Sequence, residues 1–150
     1  MMASAESPAA LRPIAPKPII WSPRLELGIE RIDAQHQRLV RLHNDLVLGL
    51  SHGVPLDTAT RIIGELRGYA ALHFAEEEEL IERCGYPLAV AHHHQHHGFA
   101  TSLRNMALHI HDTGFAAQIG VFMGNWIEGH IARSDADIAR YIHGAPREHG

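Results

Sequence analysis

Three clusters of helix-breaking residues divide the chain beyond about residue 22 into four long segments, and this punctuation constrains the fold more than any other feature. Within each segment, apolar residues recur every three or four positions, as on the buried face of an α-helix. We predict helices at about residues 32–50, 57–83, 87–111 and 115–143, the third beginning at Pro87 or Leu88. Strand-like runs of alternating β-branched residues are nearly absent. Short connections favour antiparallel neighbours, so the predicted fold is all-α, an up-down-up-down four-helix bundle.

The ends of the chain differ in composition from these segments. Residues 1–22 are rich in Ala and Pro, which predicts an irregular N-terminal arm, either mobile or lying on the body as an extended strap. A single four-helix domain is predicted for residues 23–143, followed by a C-terminal tail at residues 144–150. A chain of 150 residues is long enough for one domain that buries a core without disulfides.

Composition argues against several partners and locations. The formal net charge is −4 with neutral histidines and no stripe of Lys or Arg is present, so nucleic acid and anionic membranes are not expected partners. No apolar run is long enough to span a bilayer, so membrane insertion is not expected. Prolines interrupt the N-terminal segment, which therefore does not resemble a signal peptide. Together with the lone Cys84, these features predict a cytoplasmic protein.

The chain has 14 histidines, and several of them fall on the predicted buried faces of the helices. Every helix contributes at least one such position, and the second adds a carboxylate one turn after its histidine. The set is His36, His73, Glu77, His92, His96 and His130. A buried carboxylate without a partner is costly, whereas a bound cation removes that cost. The set therefore predicts a metal site inside the bundle.

Residues 92–97 contain two histidine pairs at one-turn spacing, 92/96 and 93/97. The pair 92/96 continues into the apolar Phe99 and Leu103, which predicts that this pair faces inward. The remaining histidines, His93, His94 and His97, are then expected to face solvent or a rim. An adventitious, metal-binding His-rich segment is the alternative interpretation, but it leaves the histidines of the other three helices unexplained.

The motifs around these positions resemble the hemerythrin family, and most closely its stand-alone bacterial members, the bacteriohemerythrins. The resemblance covers about residues 20–143. The motifs are Ile32-Asp33-Ala34-Gln35-His36, then His73-Phe74-Ala75-Glu76-Glu77-Glu78, then Tyr86-Pro87 with His92 and His96, and finally Trp126-Ile127-Glu128-Gly129-His130 with Asp135.

This resemblance implies a centre of two iron ions that alternate between Fe2+ and Fe3+ and share a bridging oxo or hydroxo group. Three histidines, His92, His96 and His130, would bind one iron. His36 and His73 would bind the other, whose open position would take O2. The carboxylates of Glu77 and Asp135 would bridge the two irons. Imidazole and carboxylate ligands suit iron, and the Cys/His pattern of a structural zinc site is missing.

The implied function is reversible O2 binding for storage, delivery or sensing, rather than an enzyme activity. The family's O2 pocket matches five apolar positions: Leu39, Phe74, Trp126, Ile127 and Ile131. An oxygen-consuming enzyme or a reductase is a candidate partner. The alternative is an enzyme on the same scaffold, a di-iron peroxidase or a scavenger of NO or O2. A third interpretation is metal buffering by the surface histidines.

One requirement does not follow from regular helix geometry. His130 and Asp135 are five residues apart, about 140° round an ideal helix. They can face one centre only if the helix is kinked, widened or broken between residues 131 and 135. Asp137 is a possible bridge on geometry, and only the family spacing favours Asp135.

The remaining polar residues near the motifs have simpler interpretations. Glu76 and Glu79 are expected on a solvated acidic face. His43, two turns beyond His36, is expected to be a hydrogen-bonded core histidine. Gln35 is expected either to orient a ligand or to cap the first helix.

Overall fold

A computed structural model describes residues 15–112 and 114–144 of the chain. The long helices are α1 (Glu30–Ser51), α2 (Leu56–Cys84), α3 (Ala89–Ala107) and α4 (Phe115–Gly129). A π-helix (His130–Asp135) joins α4 to α5 (Ala136–Ile142), and a short 3-10 helix (Pro23–Leu25) precedes α1. No strand occurs in the described residues. Residues 1–14 of the predicted arm and 145–150 of the predicted tail lie outside them, and the predicted domain boundaries stay predictions.

The four long helices surround one core and form the predicted all-α bundle. Helix α1 packs against α2 and α4, and α3 packs against the same two helices. The core side chains Leu66, Leu103, Ile119 and Met123 are almost completely buried. In an up-down-up-down bundle, the beginnings of α1 and α3 lie at the same end as the ends of α2 and α4. The predicted site residues belong to these parts of the helices, which explains how they meet.

The break after α2 follows from its sequence. Gly85 has a φ of 69°, the left-handed conformation that glycine adopts without a steric penalty. The amide of Tyr86 then donates to the carbonyl of Ile81 at 3.2 Å, which closes the helix end. Pro87 has no amide with which to continue the helix. The break predicted between the helices at residues 57–83 and 87–111 is confirmed.

Helix α3 is about one turn shorter than predicted. It ends at Ala107, whereas residue 111 was expected. From Leu108 onward the amides bond carbonyls three residues earlier: Leu108 donates to Asn105, and Ile110 donates to Ala107. These tight turns replace the regular helix, so this prediction was wrong at its boundary.

The distortion predicted near Asp135 is confirmed. Residues His130–Asp135 form a π-helix, and the amide of Ala136 donates to the carbonyl of Ile131, five residues earlier. Hydrogen bonds between residues five apart widen the turn and bring residues at that spacing onto one face. His130 and Asp135 are thereby directed toward the same centre.

The buried face of α4 is shifted relative to the stripe that the sequence predicts, which consists of Phe115, Ile119, Phe122, Trp126 and His130. Ile119 and His130 are buried as predicted, and the three aromatic residues are half-buried against the core. Met123 and Ile127 are buried in addition. The apolar pattern counted only large side chains and ignored Gly120 and Gly124, which are also buried. Because these glycines lie beside Ile119 and Met123, the buried face is displaced toward them.

Residues 15–29, here called the N-terminal strap, lie along the bundle beside α1 and α4. Ile19 is buried, and the side chain of Asn44 bonds both its amide and its carbonyl, at 2.8 and 3.0 Å. Farther along, the Asp33 carboxylate accepts bonds from the amides of Leu27 and Gly28. The strap is therefore held to α1 mainly through its backbone.

None of the described helices combines the length and the apolar character that crossing a bilayer requires.

Candidate metal centre

Seven polar side chains converge inside the bundle, and all seven are among the residues predicted from the sequence. Even the most accessible of them, His130, is only 8% exposed. They form two groups whose nitrogen and oxygen atoms lie within 4.8 Å of one another. One group consists of Glu77, His92, His96, His130 and Asp135; the other consists of His36, His73, Glu77 and Asp135. The two carboxylates are the members that the groups share.

The two oxygens of Glu77 face different groups. Its Oε1 lies 2.8 Å from Nε2 of His92 and 3.1 Å from Nε2 of His96. Its Oε2 lies 3.5 Å from Nε2 of His73 and 3.7 Å from Nε2 of His36. Because His73 and Glu77 are one turn apart on α2, the helix itself sets this arrangement.

The two oxygens of Asp135 also face different groups. Its Oδ1 lies 3.0 Å from Nε2 of His92 and 3.1 Å from Nε2 of His130. Its Oδ2 lies 2.9 Å from Nε2 of His36. Each carboxylate thus offers one oxygen to each group, which is the arrangement that two bridging carboxylates need. Asp137, the geometric alternative, is turned away and pairs with Arg140.

Burial works against the charged form of His36, His73, His92, Glu77 and Asp135, and the neighbouring groups modify the resulting pKa values. Burial alone would lower the pKa of His36 and of His92, but the adjacent carboxylates raise both pKa values to about 9. Burial lowers the pKa of His73 to about 4. Burial and the Asp135 charge would raise the pKa of Glu77, whereas the surrounding histidines hold it at about 2.

Burial would also raise the pKa of Asp135, but the neighbouring histidines hold it well below its usual range. Ionised carboxylates therefore face imidazole nitrogens in the centre of the bundle. A cation that binds there takes the place of imidazole protons, because a ligating nitrogen has to be deprotonated.

The donor set fits a cation better than it fits a hydrogen-bond network. Both oxygens of Asp135 and both ring nitrogens of His36 are buried without a hydrogen bond of good geometry. The 2.9 Å approach of these two side chains therefore leaves their polar atoms unsatisfied. Buried polar atoms without partners are rare because they cost free energy, and a metal ion would satisfy them.

Two of the histidines make a hydrogen bond through Nδ1 to a residue outside the seven. Nδ1 of His73 donates to Oε1 of Gln35 at 2.6 Å, and Nδ1 of His96 donates to Oε2 of Glu78 at 2.8 Å. Each bond directs Nε2 of the ring toward the shared carboxylates. Gln35 is therefore an orienting residue, whereas the role of Glu78 was not predicted. Its position next to Glu77 was the available signal.

The expectation of a solvated acidic face was right for Glu79 and wrong for Glu76. Glu79 is exposed, but Glu76 is partly buried. Its Oε1 accepts a hydrogen bond from Nε2 of Gln35 at 2.8 Å, and it also pairs with Arg31. Glu76 lies on the same side of α2 as His73, one turn from residue 73, and so it reaches the neighbouring helix.

Aromatic rings stack on two imidazoles of the cluster. The ring of Phe74 stacks on His96 with centroids 4.0 Å apart, and the ring of Trp126 stacks on His130 at 4.2 Å. These contacts restrict the rotation of the imidazoles. The exposed histidines His93, His94 and His97 lie on the outer side of α3, as expected.

A small cavity adjoins the cluster and is bordered by His36 and His73 of one group and by His130 of the other. All five apolar residues expected around the pocket, Leu39, Phe74, Trp126, Ile127 and Ile131, line it. Leu66, Ala70 and Phe99 complete its apolar wall, and its polar lining comes from cluster residues. The cavity therefore offers space for a small apolar molecule beside the histidines.

Comparisons with known proteins agree with this geometry. Residues 27–142 match the family described as Hemerythrin HHE cation binding domain. The chain is 29% identical over 125 residues to the bacteriohemerythrin of Stenotrophomonas maltophilia, covering 83% of this chain and 81% of that protein. It is 28% identical to the one from Clostridium acetobutylicum, covering 79% and 96%. It is 31% identical to the one from Pseudomonas aeruginosa, covering 79% and 77%.

Proposed function

The chain belongs to the hemerythrin family, and we propose that it binds O2 reversibly at a non-haem di-iron centre. Its seven buried side chains would hold the two irons: His92, His96 and His130 at the first position, and His36 and His73 at the second. Glu77 and Asp135 would bridge them, together with an oxo or hydroxo group. When bound, the iron pair supplies the electrons that make the binding of O2 favourable and reversible.

The observation that carries this proposal is the division of the two shared carboxylates. Glu77 and Asp135 each present one oxygen to either group of histidines, at distances of 2.8–3.7 Å. A site for a single ion has no use for two carboxylates divided in this way. Unequal numbers of histidines, three and two, leave the second position with fewer protein ligands. That difference favours the second position as the one open to O2.

The chain's own residues then decide what can approach the second position. The pocket borders His36 and His73 as well as His130, and most of its other lining is apolar, including Leu39 and Ile127. An apolar wall admits O2 and discourages water, which limits further reaction of bound O2. Reversible binding, rather than turnover, is the behaviour that such a pocket supports.

The proposal is tested by adding O2 to the reduced, iron-loaded chain and then removing it. We expect a coloured O2 complex that forms on exposure and returns to the colourless diferrous protein when O2 is withdrawn. Rapid conversion to an inert diferric form, with consumption of peroxide or NO, would instead indicate the enzyme alternative.

The exposed histidines provide the matched control. Simultaneous replacement of His94 and His97 by Ala removes two outer imidazoles, keeps His93 in contact with Glu78, and leaves the seven buried side chains unchanged. We expect the same two irons per chain and the same O2 cycle. Loss of iron in this variant would support metal buffering by the surface. A cytoplasmic location, and a partner that consumes oxygen or supplies electrons, stay predictions.

A further inference from the structure

His96 and His73 differ in the charge of the residue that accepts a hydrogen bond from their Nδ1. Nδ1 of His96 donates to a carboxylate, Glu78, and Nδ1 of His73 donates to an amide, Gln35. His96 belongs to the three-histidine group and His73 to the two-histidine group. The charged acceptor therefore lies behind one proposed iron position and the neutral acceptor lies behind the other.

The neighbours of Gln35 fix the orientation of its amide. Its Nε2 donates to Oε1 of Glu76 at 2.8 Å, so its carbonyl oxygen has to face His73. A flipped amide would direct its carbonyl at the Glu76 carboxylate, where two acceptors would meet. Gln35 is 7% exposed, so water does not replace this contact easily. The contact with Glu76 thus fixes a neutral hydrogen-bond acceptor at Nδ1 of His73.

The carboxylate of Glu78 is fixed in a similar way from the outer side. Its second oxygen, Oε1, accepts a hydrogen bond from Nδ1 of the exposed His93 at 2.9 Å. Both oxygens are therefore occupied, one by a buried imidazole and one by an exposed imidazole. The carboxylate is directed at His96 rather than free to turn into solvent.

A charged acceptor pulls the Nδ1 proton more strongly than a neutral acceptor does, and this makes the imidazole a stronger electron donor through Nε2. We propose that Glu78 and Gln35 are positioning residues that make the two metal positions unequal. Glu78 strengthens His96 as a donor to the three-histidine iron, and Gln35 leaves His73 the weaker donor at the two-histidine iron. This inference rests on the proposed di-iron function.

The first variant for the test is Glu78→Gln in the iron-loaded full chain. Gln keeps a carbonyl that can accept from His96 but removes the charge, so we expect the affinity for Fe3+ relative to Fe2+ to fall about tenfold. That is a rise in midpoint potential of about 59 mV for one electron. Glu79→Gln is the matched control, because it removes the same charge from an exposed neighbour that does not contact the cluster.

The converse variant exchanges two side chains, Gln35→Glu together with Glu76→Gln. The exchange keeps the net charge and can keep both hydrogen bonds, but it moves the carboxylate to His73. We expect a lower midpoint potential. In 57Fe Mössbauer spectra, Glu78→Gln should change mainly the signal of one iron, and the exchange should change mainly the signal of the other.

The inference is overturned if Glu78→Gln matches the Glu79→Gln control, if the two variants move the potential in the same direction, or if both irons respond equally. These results are distinguishable from a failure of the proposed function. An unmodified chain that holds no iron pair, or that does not bind O2 reversibly, would refute that function before any variant is compared.

Discussion

Two completely buried histidines on α1, His36 and His43, lie two turns apart and have opposite surroundings. Nε2 of His36 faces the carboxylates of Asp135 and Glu77, at 2.9 and 3.7 Å, and neither ring nitrogen makes a good hydrogen bond. Nε2 of His43 donates to one backbone carbonyl, that of Lys17 in the N-terminal strap, at 3.0 Å.

The difference shows that burial by itself does not identify a metal ligand. Both histidines lie on the same apolar face of α1, so helical periodicity cannot separate them. His36 meets acceptors and imidazoles from other helices, with more polar atoms than hydrogen bonds can satisfy. His43 makes one hydrogen bond through Nε2, leaves Nδ1 without a partner, and fills space between α1 and the strap. Convergence of several unsatisfied polar atoms from different helices marks the ligand, and a single unsatisfied nitrogen does not.

We expect the largest effect from a change to a carboxylate that faces His36. In Glu77→Gln one shared carboxylate becomes a neutral amide, so one bridging oxygen loses its charge for both groups of histidines. We expect metal affinity to fall by more than about 100-fold, beyond the loss caused by removing a residue that merely orients a ligand. Iron per chain, measured by elemental analysis after gel filtration, checks this.

Glu79→Gln again serves as the control, since it makes the same change at an exposed position of the same helix. Retention of two irons per chain by Glu77→Gln, with circular dichroism showing a folded helical protein, would contradict the role given to this carboxylate.

A smaller effect is expected on the His43 side, where Gly124→Ala would crowd the histidine. A Cβ at residue 124 would lie 2.8 Å from the His43 ring, closer than real contacts allow. Overpacking costs about 1–3 kcal/mol and the gain in helix propensity is about 1 kcal/mol, so we expect a net loss of up to about 2 kcal/mol. Urea unfolding measures the change, and iron stoichiometry should not change.

Gly64→Ala provides the comparison, because a Cβ at this position on α2 meets no atom within 4 Å. It should gain up to about 1 kcal/mol from helix propensity. If Gly124→Ala stabilised the protein as much as Gly64→Ala does, the close contact with His43 would not be present in solution.

The smallest effect is a pH dependence that separates the two histidines. Burial lowers the pKa of His43, and the Lys17 carbonyl and the Glu128 charge offset only part of this. The folded chain therefore favours neutral His43, while the unfolded chain takes up a proton below about pH 6.5. Stability that is present above that pH is lost as the pH falls.

His43→Gln keeps a donor for the Lys17 carbonyl but cannot titrate in this range. Between pH 7 and 5, the unmodified chain should lose more stability than the variant, by at most about 1.4 kcal/mol per pH unit. Urea unfolding of both proteins in the same metal state measures the difference. Parallel stability curves would contradict a neutral, buried His43.

Much of this fold could be predicted because its helix ends carry local signals. Gly85 with Pro87 defines the end of α2 by backbone chemistry, and the helix spacing of His73 and Glu77 defines a shared face. The distortion at residues 130–135 was predictable because a spacing of five does not fit a regular helix. In each case the signal lies within a few residues of the feature.

The features that were missed depend on contacts between distant parts of the chain. The shift of the buried face of α4 was missed because Gly120 and Gly124 have no side chains that a hydrophobic pattern could detect. Glu76 was expected in solvent, because its partner Gln35 lies on another helix and the sequence alone does not show that the two side chains meet. Glu78 resembles its acidic neighbours in sequence, and only the packing of α2 against α3 brings it to His96.

The central claim is that seven buried side chains hold two irons that share Glu77 and Asp135. The most direct test combines iron analysis with magnetic susceptibility of the oxidised, iron-loaded chain. We expect two irons per chain whose spins are antiferromagnetically coupled, because shared bridges bring the ions close enough to interact. A single iron per chain, or two irons with independent magnetism, would contradict the claim.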